Sequence, residues 1–127
     1  MNAEQFIQLL VRYVRDTSIS GTFSILTNPP GRKPREKHVR ISNWLNQLPD
    51  EERMIVKQVV EESVDAALFN ILCVFDGVKK IEESTGDSQF RLIHEIGQSS
   101  ECINDPNDEY LHDIYKDVVD SRQSEGS

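Results

Sequence analysis

The sequence is short of several features that would name a chemistry. Its 127 residues include two cysteines, Cys73 and Cys102, and three histidines. None of these stands in a CxxC or HxxxH pair, so the spacing that builds a zinc site is missing. No run approaches the ~20 consecutive apolar residues that cross a bilayer. No serine sits in a nucleophile elbow, and no glycine-rich loop follows a strand to cradle a phosphate. The opening residues, with Asn2, Glu4 and Gln5, carry no cationic leader. The expectation is therefore a cytoplasmic chain with reduced thiols, needing no cofactor or metal and no membrane.

What the sequence does have is charge of one sign. There are 22 acids against 14 bases, a net charge of −8. The balance is uneven: residues 1–40 sum to +4 and residues 41–127 to −12. A chain of this kind repels duplex DNA and attracts a basic partner, most simply another protein. The length suits one domain over 1–127.

Phe6, Ile7, Leu10, Val11 and Val14 repeat at helical spacing and predict an amphipathic helix over 3–16, capped by Asn2 and closed near Ser20-Gly21. Residues 28–37 hold three prolines and four bases, which predicts an exposed basic loop. Helical spacing resumes over 38–47, with Ser42-Asn43 weakening it. It resumes again over 51–68, where Asp50 is the expected cap. Residues 69–75 are a seven-residue apolar run followed by Asp76-Gly77 and a second run. That pattern fits a hairpin, and it also fits a helix continued to Glu83. Length favours the hairpin, since a helix of 51–83 would far exceed the usual ~11–12 residues.

Residues 84–88 read as a loop, 90–96 and 101–103 as further strands. Asp105-Pro106 reads as the start of a helix over 107–118, with Asp105 as its cap. The tail 121–127 is expected to fray. The predicted architecture is α+β: about four helices packed on a small antiparallel sheet of three to four strands. Ile71, Cys73, Phe75, Val78, Ile81, Phe90, Leu92 and Ile103 should form the sheet's core. Trp44, Leu45, Ile55, Val59 and Leu111 should pack against it. An edge of that sheet offers a route to a homodimer.

Two segments carry a resemblance. One runs Val64-Asp65-Ala66-Ala67, Phe69, Leu72-Cys73-Val74, Asp76-Gly77-Val78 and Ile81-Glu82. The other is Ile103-Asn104-Asp105-Pro106 with Leu111-His112-Asp113-Ile114. Together they resemble a family of small bacterial proteins over roughly residues 40–116. Some small acidic domains of this kind act as immunity proteins of polymorphic toxins, which implies a non-enzymatic inhibitor of a basic partner.

The residues themselves offer three kinds of site. Glu61, Glu62 and Asp65 form one acidic group, and Asp108 and Glu109 another; each suits a basic partner. Arg32, Lys33, Arg35, Lys37 and Arg40 concentrate positive charge in nine positions and suit an anion or RNA, though no aromatic is interleaved for stacking. His94, Asp108 and His112 are the residues that a small metal-dependent or hydrolytic enzyme would use.

Overall fold

A computed structural model describes residues 1–82 and 88–125 of the chain. The fold is α+β, with helical stretches and one two-stranded antiparallel sheet. Among the described residues, no helix is long and apolar enough to cross a membrane. The chain divides into two compact units, Arg15–Asp65 and the pair of segments Met1–Val14 and Ala66–Ser127.

Helix α1, Ala3–Leu10, starts as the sequence predicts. The Asn2 side chain accepts from the Gln5 N–H at 2.8 Å, and the Gln5 side chain accepts from the Asn2 N–H at 3.0 Å. This reciprocal box satisfies two amides that the first turn leaves open. A single π turn, Val11–Arg15, follows, and α2 then spans Asp16–Thr27. The predicted stop at Ser20-Gly21 is overturned. A mid-helix glycine costs only about 1 kcal/mol, and buried Ile19 with half-buried Phe23 and Leu26 keeps the apolar spacing across it. The helix ends at Asn28 because a residue before proline is driven out of the helical region; here φ is −146° and ψ is 83°.

In the unit Arg15–Asp65, α2 packs on α3, Glu36–Leu45. The loop between them covers 28–35, slightly shorter than expected. Ser42 stabilises this pairing, contrary to its expected weakening of the helix. Its hydroxyl donates to the Thr27 carbonyl at 3.0 Å, and the Asn46 amide donates to the same oxygen at 2.9 Å. The orphan carbonyl at the end of α2 is thus satisfied from α3. Arg15 and Asp65, the terminal residues of this unit, form a bidentate ion pair at 2.6 and 3.1 Å.

Helix α4 spans Asp50–Phe75. Asp50 is its first residue rather than a cap, and its carboxylate accepts from Arg53. The hairpin expected at 69–83 does not form among the described residues of that range, 69–82. Leu72 is buried in a cluster with Ile7, Val11, Leu111, Ile114 and Tyr115, a seat that helical spacing provides. Asp76-Gly77 closes the helix instead of turning a hairpin. Gly77 has φ +78°, its N–H bonds the Val74 carbonyl, and the Val78 N–H bonds the Cys73 carbonyl, both at 3.1 Å. Those two bonds make a Schellman cap. A type I′ hairpin turn would also need positive φ at Asp76, and no non-glycine residue among those described has it.

The sheet consists of β1, Ile93–Ile96, and β2, Ser99–Cys102, with Ile93 opposite Cys102 and Ile96 opposite Ser99. Gly97 at φ +59° opens the two-residue turn between them. The strand expected over 90–96 is shortened to 93–96 and the one expected over 101–103 lies at 99–102; of the earlier pair, 69–75 is helix and 78–82 has no regular structure, so the sheet has two strands rather than three to four among the described residues. The loop expected at 84–88 lies almost wholly outside the described residues.

The last helix, α5, spans Leu111–Glu125 and packs on α1. It starts later than predicted. Asp105 caps no helix; its carboxylate accepts from the Asn107 N–H at 2.9 Å in a tight turn. Residues 121–125, expected to fray, are helical.

The core shifts accordingly. Cys73, Ile103, Leu45 and Leu111 are buried as expected, whereas Ile71, Val78, Ile81 and Phe90 are exposed, as are Trp44, Ile55 and Val59. With no sheet over the described residues 69–82, the expected partners of these side chains are absent. Helices α1, α4 and α5 build the main core themselves.

Candidate functional site

A groove of about 330 Å³ lies along α1 and α5. Its floor includes Ile114 and Val118, and its walls carry Glu4, Glu109 and Asp117 beside Gln8, Ser121 and Arg122. Glu4 and Gln8 stand four residues apart on α1, and the Gln8 amide donates to Glu4 at 3.3 Å. Glu109 precedes α5, while Asp117 lies on its second turn. Three carboxylates against one guanidinium leave the groove net negative. Acid walls over an apolar floor suit a long basic side chain, whose methylene stem rests on apolar surface while its charge meets carboxylate.

A second group of residues fixes the base of α5. The carboxylate of Asp76 accepts from the N–H groups of Leu111 and His112, each at 2.9 Å. It also meets His112 Nδ1 at 2.6 Å. A carboxylate offers only acceptors, which assigns the ring hydrogen to Nδ1. Asp76 is only 3% exposed at its side chain. Its negative charge complements the positive end of the helix it caps. The His112 ring stacks on Tyr110 at 5.3 Å and meets the edge of Phe69 at 5.4 Å. Its Nε2 lies 3.4 Å from Asp113. The bond from His112 thus runs to the end of α4.

Close by, buried Asn104 uses its whole amide. Its Nδ2 donates to the carbonyls of Phe75 at 2.7 Å and Phe90 at 2.8 Å, and its Oδ1 accepts from the Leu92 N–H at 2.8 Å. Cys102 Sγ donates to the same Oδ1 at 3.4 Å. Asn104 thereby ties the end of α4 to the segment entering β1. A smaller cleft of about 260 Å³ opens beside Asp76 and Asn104, with Lys80 and Arg91 on its rim. Burial pushes the Cys73 thiol above its ordinary range; the negative charges of Asp76 and Asp113 add to the shift and Lys79 opposes it.

The residues singled out in the sequence are dispersed. Glu61 is half-buried and Glu62 exposed on α4, while Asp65 is engaged by Arg15. Asp108 and Glu109 are exposed ahead of α5, and only Glu109 enters the groove. Arg32, Lys33, Arg35, Lys37 and Arg40 are all exposed, in the 28–35 loop and on α3. His94 sits on β1 opposite Glu101, and His112 is bound to Asp76. Among the described residues, no group of three or more His, Cys, Asp or Glu side chains is placed to hold a metal ion. Sequence reasoning missed Glu4 and Asp117. Asp117 had a signal in helical spacing, since Asp113, Asp117 and Asp120 fall at i, i+4 and i+7 on one face; Glu4, on α1, had none.

Comparison with protein-family models, curated proteins and solved structures found no match.

Proposed function

We propose that this chain is a non-enzymatic protein-binding module that receives a basic partner, in the manner of an immunity or antitoxin-like inhibitor. The observation that carries this reading is the groove along α1 and α5, with Glu4, Glu109 and Asp117 around an apolar floor. Its surroundings reinforce it. The unit Arg15–Asp65 has eight bases and eight acids, so the whole net charge of −8 belongs to the rest of the chain. A field of that sign speeds encounter with a cationic surface, and the groove gives one Lys or Arg side chain a place to anchor.

A panel of short peptides differing only in Lys or Arg against Glu at one position tests the reading. Lys and Arg peptides should bind, with association slowed as salt is raised. Neutralising the groove through Glu4→Gln, Glu109→Gln and Asp117→Asn should abolish that binding. Affinity indifferent to salt and to neutralisation would overturn the assignment.

A further inference from the structure

The end of α4 and the residues entering β1 both line the cleft of about 260 Å³ beside Asp76. One side chain holds the two linings together. Asn104 donates to the carbonyls of Phe75 and Phe90, one from each, so their spacing is set before anything enters. The two phenyl rings meet edge to face with centroids 6.4 Å apart, and Phe90 stays 44% exposed. The cleft therefore keeps apolar ring surface in contact with water.

The polar groups of the lining divide into spent and unspent. Asn104 has its amide hydrogens and its oxygen engaged, and each oxygen of Asp76 accepts an N–H of α5. Two cations remain. Lys80 makes no hydrogen bond or ion pair among the described residues. Arg91 donates to neutral oxygens, the Phe90 carbonyl and the Gln89 side chain, which leaves its charge unmatched and N–H groups to spare. The overall charge of −8 slows an anion's approach without deciding its seat, because salt screens charges beyond ~8 Å. Size narrows the choice further. The cleft equals the share of roughly nine waters at about 30 Å³ each, which admits on the order of ten organic atoms and excludes a nucleotide.

We propose that this cleft binds a small aryl carboxylate, its ring against Phe75 and Phe90 and its carboxylate held by Lys80 and Arg91. A planar carboxylate matches the guanidinium fork, and a third ring extends the edge-to-face pair. A free acid and a polypeptide ending in phenylalanine present the same chemistry.

Titration of the full chain with phenylacetate, followed in nitrogen–proton correlation spectra, tests this. Saturable shifts are expected at the amides of Gly77 and Arg91 and at the Asn104 side chain, with a Kd on the order of 1 mM. Phenethylamine, the same ring with the opposite charge, and inorganic phosphate, an anion with no ring, should each bind about tenfold more weakly or worse. Lys80→Gln and Arg91→Gln should each weaken phenylacetate about tenfold, the worth of one charge-assisted hydrogen bond, whereas Lys80→Arg should keep it. Both side chains are exposed, so signals away from the cleft should stay in place. A peptide ending in Phe, with its terminus free or amidated, identifies the source. Binding of the free terminus alone assigns the cleft to chain ends; binding of phenylacetate and neither peptide assigns it to a free acid. An absence of saturable shifts would overturn the proposal. So would equal binding of phosphate, phenethylamine or the amidated peptide, or affinity indifferent to Lys80 and Arg91. None of these residues lines the groove along α1 and α5, so failure here and failure of Lys or Arg peptide binding are read separately.

Discussion

The carboxylate of Asp76 caps Leu111 across 35 residues of chain, accepting its backbone N–H at 2.9 Å. One residue at the end of α4 therefore does for α5 what a local Ser, Asp or Asn ordinarily does. Replacing Asp76 with Ala removes acceptors for two helix amides and for the His112 ring. The expected loss is about 3 kcal/mol, read as a lower urea midpoint at unchanged slope. Asp76→Asn keeps one acceptor oxygen and should lose about 1 kcal/mol.

Asn104 presents a different vulnerability. Asn104→Leu matches its size but strands the carbonyls of Phe75 and Phe90 and the N–H of Leu92. A cost of about 2–4 kcal/mol is expected in chemical denaturation, since buried polar groups without partners pay their full desolvation. Asn104→Asp should cost at least as much, because it turns an acceptor toward two carbonyl oxygens.

The Arg15–Asp65 pair separates a structural from a recognition role for Asp65. Its side chains are 11% and 22% exposed, and the contact is bidentate. A double-mutant cycle with Arg15→Met and Asp65→Asn should give a coupling of about 1–3 kcal/mol in stability. A coupling near zero would release Asp65 for partner binding.

The two thiols should differ in reactivity. Burial raises the Cys73 thiol, with Asp76 and Asp113 contributing, so the neutral form is favoured in the fold. The thiolate is the nucleophile, and alkylation of the native protein should therefore reach half-buried Cys102 first and Cys73 only on unfolding. The linked effect on stability has a definite sign. Cys73's contribution is fully present below the thiol range of the unfolded chain and is lost as pH rises through the higher native value. Cys73→Ala should remove that alkaline component from a stability-against-pH profile.

Local signals in the sequence proved sound where their partners were near in the chain. The Asn2 cap, the proline-rich break after Asn28 and the strands around Gly97 depend on residues a few positions apart. Asp76-Gly77 was legible as a reversal of direction but not as which one, because a hairpin turn and a helix cap both call for a left-handed glycine. Long-range packing of Leu72 against α5 decides between them, and no local window contains it. Gly77→Ala should cost only the backbone term of a left-handed alanine, about 1–2 kcal/mol in chemical denaturation, because nothing lies within 4 Å of the added Cβ. The start of α5 was misread for the same reason. Asp105 has the composition of a cap, while the working cap is contributed from α4. In the groove, Glu109 was visible as one of a dense acidic pair, but Glu4 belongs to a helix more than a hundred positions earlier in the chain.

Helix ends are ordinarily the first places where a folded chain opens to solvent exchange. The finish of α4 and the outset of α5 share a single carboxylate, so neither can unravel without releasing the other. Deuterium uptake at amides 77, 78, 111 and 112 should consequently proceed in step, as a small cooperative knot rather than two independent loose threads.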